Sequence, residues 1–397
     1  MTLDEAPPET TDEQSLRRGD FLRRAAVTGA AATGMGSLLA GPATAFGTRS
    51  KRPPKTRSHT RRRGLRDRIN FISHFDVNVS DLERSRRFYE ATTGLRVVTE
   101  TAAEQSFPGF GITRGRFRGY MMRDEGMQGS YPMIHLVEWE RPRPVGTPYL
   151  SQANVGWYRI VPLVPGDPGA SEEARARVIA AGSEPFFPTT DVPVTFNPAT
   201  PAVPYRVFAC HDPDGTTLEF AQRPSFTAPS RIGTVAHNTT DPDRYLPFYE
   251  DGLGLDFVSG TGIPDPAPNV YSPLGGMSQI TGATFMVRGD RRFVFDWLEW
   301  TESDRFPTPY REPNHLGIVR CAFEVDDIEE AYRVLRRLEP RWGRLVNGPP
   351  EEWDFGPGFG VRRVVNFTDP EGVGFQLVEQ PPFPLAALHP WGSDRFD

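Results

Sequence analysis

An α+β protein built from four copies of one strand–helix–three-strand unit is what this sequence predicts, and three observations lead there. The 397 residues include 38 Gly and 40 Pro, which favours many turns and short strands over long helices, while a hydrophobic content of 38% is enough for packed cores. The chain also repeats itself. Phe88-Tyr89-Glu90 with Gly94-Leu95 recurs 160 residues later as Phe248-Tyr249-Glu250 with Gly254-Leu255. Glu138-Trp139 recurs as Glu299-Trp300 and Thr147-Pro148-Tyr149 as Thr308-Pro309-Tyr310, both at an offset of 161, and Asp212-Pro213-Asp214-Gly215 recurs as Asp369-Pro370-Glu371-Gly372 at 157. Near-constant offsets mean a duplication, with residues 224–233 as the linker between halves. Finally, each half divides again. An alternating strand runs into an amphipathic helix at 71–80 before 81–89, 155–165 before 171–181, 232–240 before 241–249 and 316–325 before 326–338. The Asp or Ser that opens each helix can accept an orphan backbone N–H there.

Residues 1–45 read as a leader, 46–69 as a basic linker, 70–224 as a first domain (modules 70–145 and 148–224), 225–383 as a second (modules 230–302 and 310–383) and 384–397 as a tail. In the leader, Arg17-Arg18-Gly19-Asp20-Phe21-Leu22-Arg23-Arg24 precedes a weakly apolar run ending in Ala43-Thr44-Ala45. That order resembles a twin-arginine export signal, although two residues rather than one separate the Arg pair from Phe21-Leu22. The run is too short and glycine-rich to span a membrane. An exported, extracytoplasmic protein is expected, cleaved after Ala45 and without stable membrane insertion. The net charge of −6 includes the basic stretch 49–68, so the remainder is acidic and its folded body is not expected to bind nucleic acid. Cys210 and Cys321 are the only cysteines, so neither a disulfide framework nor a cysteine zinc cluster is available. Any metal must be held by His, Asp or Glu.

The stretch from His74 to Leu95 has a His seven residues before Asp81, then Phe-Tyr and Gly-Leu. It resembles the opening of a module of the vicinal oxygen chelate superfamily, which includes glyoxalases, bleomycin resistance proteins and extradiol dioxygenases. Asp212-Pro213-Asp214-Gly215-Thr216-Thr217-Leu218-Glu219-Phe220 resembles the closing strand of such a module. The resemblance covers about residues 70–383. It implies βαβββ modules, four in total, paired into two cupped-sheet domains, with a metal at the centre of a cup and ligands from the first and last strands of each module.

That pattern places His74, Arg159, Thr234 and Arg320 on first strands and His135, Glu219, Asp296 and Gln376 on last strands. The spacings within the modules are 61, 60, 62 and 56 residues, so the register is coherent. The resemblance then implies a metal site of His74, His135 and Glu219 in the first domain. Two imidazoles and a carboxylate suit Fe(II), with Mn, Zn or Ni as alternatives. Arg159 stays protonated and cannot be a ligand, but it can face an anionic substrate oxygen or serve as a plain ion-pair partner. Thr234, Asp296, Arg320 and Gln376 form a degenerate second-domain set. Glyoxalase-type enzymes use four ligand strands and extradiol dioxygenases take both histidines from first strands, so neither reaction transfers directly. The expectation is a metal-dependent enzyme on a small oxygen-rich substrate, a dioxygenase or a lyase/isomerase. The alternative is a non-catalytic small-molecule-binding protein of the same fold. Glu138, Glu299, His211 and His237 fall outside the ligand register and read as structural, and the turns 108–111 and 357–360 read as turns or as rims over a ligand.

Overall fold

The computed structural model describes residues 64–124, 132–149, 154–194, 203–222, 231–268, 277–287, 293, 295–301, 308–357 and 360–380. The expected leader, most of the basic linker and the C-terminal tail lie outside the described residues, as does Phe359. The first module contains β1 (Ile69–Asn78), α1 (Leu82–Thr93), β2 (Arg96–Phe107), a 3-10 turn (Pro108–Phe110), β3 (Ile112–Arg123) and β4 (Met133–Arg141). The second contains β5 (Gly156–Val164), α2 (Ala170–Ala180), β6 (Thr190–Val194), β7 (Val203–His211) and β8 (Thr217–Gln222). The third contains β9 (Arg231–Asn238), α3 (Pro242–Pro247, continued by a π-turn Phe248–Leu253), β10 (Asp256–Pro268), β11 (Met277–Met286) and β12 (Phe295–Thr301). The fourth contains β13 (Gly317–Val325), α4 (Ile328–Trp342), β14 (Glu351–Asp354), β15 (Val361–Thr368) and β16 (Gly374–Glu379). The α+β class and the four-fold repeat of the unit are as the sequence predicts.

Three helices start as their sequences dictate. The side chains of Asp81, Asp241 and Asp327 accept from the backbone N–H of Arg84, Arg244 and Glu330, satisfying one orphan donor each. The second module differs: α2 is preceded by Gly169, and Ser171 lies inside the helix with its hydroxyl donating to Gln222. Last-strand carboxylates give further support, because Glu138 accepts from Leu82 N and Glu379 from Ile328 N. The structural reading of Glu138 therefore has a definite content: it holds the start of α1.

The strands form two eight-stranded sheets, ordered β14-β15-β16-β13-β1-β4-β3-β2 and β10-β11-β12-β9-β5-β8-β7-β6. The first module therefore pairs with the fourth and the second with the third, which corrects the pairing of consecutive modules expected from the sequence. The seams are antiparallel, β1 against β13 and β5 against β9. Connection length explains the arrangement. Residues 223–230 join β8 to β9 within one sheet, whereas the longer connectors 142–155 and 302–316 cross between sheets. These crossovers carry the repeated Thr-Pro-Tyr motifs, and their Tyr149 and Tyr310 rings stack with centroids 4.2 Å apart.

One large core lies between the sheets and under the helices, including Phe75, Trp157, Phe295, Phe323 and Phe375. Phe75 meets Trp157 edge-on at 5.2 Å, joining the two sheets. Two smaller clusters fill the opposite, concave faces. Cys210 and Cys321 are buried free thiols. Among the described residues no helix is long and apolar enough to cross a membrane.

Candidate metal centre

Strand alternation decides which side chains meet in the first sheet. Phe75 and Val77 of β1, Ile134 and Leu136 of β4, Cys321 and Phe323 of β13, and Phe375 and Leu377 of β16 all enter the large core. Their neighbours must then project from the concave face. Those neighbours are His74 and Asp76, His135, Arg320 and Ala322, and Gln376. Register aligns them in two rows across the sheet. Arg320 lies opposite Asp76 and Asp76 opposite His135, while Gln376 lies opposite Ala322 and Ala322 opposite His74.

Asp76 is the hub. Its Oδ1 faces His135 Nδ1 at 2.6 Å and His74 Nε2 at 3.5 Å, and its Oδ2 accepts from Arg320 Nε. Each imidazole is held from behind by a hydroxyl, His74 Nδ1 by Ser73 Oγ at 3.1 Å and His135 Nε2 by Thr101 Oγ1 at 2.8 Å. Hydrogens on those outer nitrogens would leave the lone pairs of His74 Nε2 and His135 Nδ1 directed at Asp76. His74, Asp76 and His135 are all at most 1% exposed. Burial lowers the His74 pKa to about 3, so its ring is neutral at ordinary pH. Burial opposes ionisation of Asp76, but Arg320 and the two histidines outweigh it and hold the carboxyl well below its ordinary range.

Two imidazoles and one carboxylate are a donor set for a divalent transition metal. Their ligand atoms all lie within 4.8 Å of one another, the one such group of three among the described residues. A second observation supports the fit. Gln376 is fully buried and its amide donates to Asn366, yet its Oε1 accepts no hydrogen bond. A buried acceptor without a donor is costly, and a bound ligand would satisfy it. The aromatic side chains Phe107, Phe117, Trp353 and Phe355 surround the centre, and Arg320 lies over the Trp353 ring at 5.0 Å and the Phe110 ring at 5.5 Å.

Glu219 stands elsewhere. It is on β8 in the second sheet, with its Oε2 2.7 Å from Arg159 Nη1. Burial raises the Glu219 pKa, Arg159 opposes the rise, and nearby Asp296 adds to it. Thr234 and Asp296 share this sheet, and Asp296 accepts from Thr284 Oγ1 at 3.3 Å. The structure thus brings His74 and His135 together but not Glu219. It also divides the expected degenerate set, placing Arg320 and Gln376 with the histidines and Thr234 and Asp296 with Arg159 and Glu219. One cause underlies both corrections: the eight positions are shared out by sheet pairing, which the repeat alone does not reveal. Asp76 was missed, although strand alternation places it on the face of His74, two residues on. His237 and His211 sit in structural settings: His237 Nε2 contacts the Tyr249 hydroxyl at 2.6 Å, and the His211 ring packs edge-on against Phe186.

Residues 231–377 match the family model described as Glyoxalase/Bleomycin resistance protein/Dioxygenase superfamily. No curated protein matches the sequence. Among solved structures, a single-site mutant of glyoxalase I from Zea mays is similar with a TM-score of 0.55 and 18% identity, over 80% of this chain and 95% of that one. Glyoxalase I from the same plant gives 0.52 and 17%, over 78% and 92%. At these identities the likeness establishes the shared two-domain architecture. Residues 231–377 thus carry the glyoxalase/bleomycin resistance protein/dioxygenase signature, and the described body shares the fold of glyoxalase I.

Proposed function

We propose that this protein is a metal-dependent enzyme acting on a small oxygen-rich metabolite, of the dioxygenase or lyase/isomerase type, with its centre between the first and fourth modules. The observation that carries this reading is the convergence of His74 Nε2, His135 Nδ1 and Asp76 Oδ1 on one buried point, each imidazole fixed from behind by a hydroxyl. A divalent ion there, Fe(II) in preference to Mn, Zn or Ni, would supply a Lewis acid to a substrate oxygen. The protein's own share is to keep His74 neutral, to hold Asp76 ionised through Arg320, and to exclude water with Phe117, Trp353 and Phe355. We further propose that the protein is exported, on the strength of the arginine-rich leader. Elemental analysis of the full chain purified without chelator tests the centre: about one metal per chain, lost in His74→Ala and Asp76→Asn and retained in Glu219→Gln, is the expected result.

A second reading has its own observation. Arg320 already neutralises Asp76, and so complete an internal pairing suits a non-catalytic small-molecule-binding protein of the same fold. Absence of metal in the wild type, with an unchanged fold in His74→Ala, would favour it.

A further inference from the structure

From Arg320 and Gln376 we infer that the ligand of the first cup is a small aromatic hydroxy acid, its carboxylate on the Arg320 guanidinium and its hydroxyl donating to Gln376 Oε1. The inference deepens the proposed function by naming the substrate class of that centre. Arg320 reaches Asp76 through Nε alone, so the Nη edge of its fork is not used by that carboxylate. Guanidinium pairs best with a planar anion through two parallel N–H groups. Gln376 Oε1 calls for the opposite partner, a donor, because it is buried and accepts nothing. These two groups belong to adjacent rows, and only the small Ala322 separates Gln376 from His74 across β13. The surrounding surface is aromatic, from Phe110 and Trp353 against Arg320 to Phe117 and Phe355 against His135. Phe110 is half-exposed and sits on the turn Pro108–Phe110, whose Gly109 N–H is tied to Glu351 of the fourth module. The rim beside Arg320 is therefore built from both modules that make the cup. A flat ring carrying one anionic group and one hydroxyl matches this combination of donor fork, lone acceptor and apolar walls.

The test is calorimetric titration of the full-length protein with the three hydroxybenzoates, benzoate and benzamide, repeated on Arg320→Gln, Arg320→Lys and Gln376→Leu. The expected result is that at least one hydroxybenzoate binds at millimolar concentration or below and benzamide about tenfold or more weaker. Arg320→Gln should remove the preference for carboxylate over amide, and Arg320→Lys should restore part of it. Gln376→Leu should weaken the hydroxybenzoate about tenfold while leaving benzoate unchanged, with metal content as in the wild type. Equal binding of carboxylate and amide, no binding of any carboxylate, or loss of metal in Gln376→Leu would overturn the assignment. Should Arg320→Gln fail to fold, the wild-type preference and Arg320→Lys still decide. The outcome is separable from that of the proposed function: a metal-free protein that still selects the hydroxy acid sinks the enzyme and keeps this ligand, and a metal-loaded protein indifferent to the carboxylate does the reverse.

Discussion

The Tyr89 hydroxyl donates to Asp212 Oδ2 at 3.1 Å, tying the helix of the first module to the closing turn of the second although the two modules lie in different sheets. Tyr249 repeats the arrangement with Asp369 at 2.6 Å, joining the third module to the fourth. In both turns the other carboxylate oxygen accepts two backbone N–H groups, from Asp214 and Thr216 or from Glu371 and Val373. Removing the hydroxyl leaves a buried acceptor short of one donor. Tyr89→Phe and Tyr249→Phe should each lower stability by about 1–3 kcal/mol in urea unfolding. Tyr249→Phe should cost more, since that hydroxyl also meets His237 Nε2.

The same turn gives stability a pH dependence. Burial raises the Asp212 pKa to about 6, above its unfolded value near 4. Between those values the folded chain holds a proton that the unfolded chain releases. The contribution is therefore complete below about pH 4 and is lost as pH rises through about 6. His74 and His237, both lowered to about 3 by burial, act in the opposite sense: the unfolded chain takes up protons below about 6.5 that the folded chain refuses, so acid destabilises. Asp212→Asn isolates one side of this opposition, because its amide oxygen can still accept the two backbone groups and its NH2 can donate to Tyr89. Relative to the wild type, the variant should gain up to about 3 kcal/mol between pH 4 and pH 7. A constant difference across that range would mean that Asp212 titrates normally.

Thr101 lies behind the proposed centre and touches it only through His135 Nε2. Thr101→Val keeps the shape and removes the hydroxyl that fixes the ring. Metal affinity, measured by chelator competition, should fall about 10–100-fold with secondary structure unchanged. An unaltered affinity would show that the contact between Asp76 and His135 alone orients the ring.

In the second sheet the Arg159–Glu219 pair is 2.7 Å long and both side chains are 7% exposed. Breaking such a pair from one side leaves an uncompensated charge. Arg159→Met should destabilise the protein by about 3–5 kcal/mol in urea unfolding, since Glu219 would be left beside Asp296. Replacing both members, Arg159→Met with Glu219→Leu, should recover most of the loss. Neither variant should change metal content, because both positions lie outside the His74–Asp76–His135 sheet.

Eight positions could be read from the sequence because seven are a fixed count from a helix-starting Asp or a last-strand motif and Arg159 aligns with Arg320 through the repeat, and strand alternation puts every one on a concave face. Their grouping could not be read. The 160-residue repeat relates the first module to the third and the second to the fourth, and it has the same value whether modules pair consecutively or first with fourth. Asp76 was legible in principle, two residues beyond His74 on one strand. Thr101 was not: it reaches His135 from β2, two strands away in the sheet, across a pairing that contains bulges. Trp353 comes from the fourth module, some 280 residues from His74, and no local pattern announces it.

Because β1 pairs with β13 and β5 with β9, both sheets are shared between the two halves of the sequence. A chain ending at residue 224 would keep β1 to β8 yet lose the partner along both seams, exposing two unpaired strand edges and the apolar residues of the large core. Such a fragment should aggregate or remain unfolded alone. Mixed or co-expressed with residues 225–397, it should form an equimolar complex that regains native circular dichroism and, with His74, Asp76 and Arg320 reunited, the proposed metal centre and ligand site. Size-exclusion chromatography with light scattering gives the first answer. A stable, folded monomer of residues 64–224 would instead mean that β1 and β5 can pair with each other, and that the consecutive arrangement is accessible to this chain.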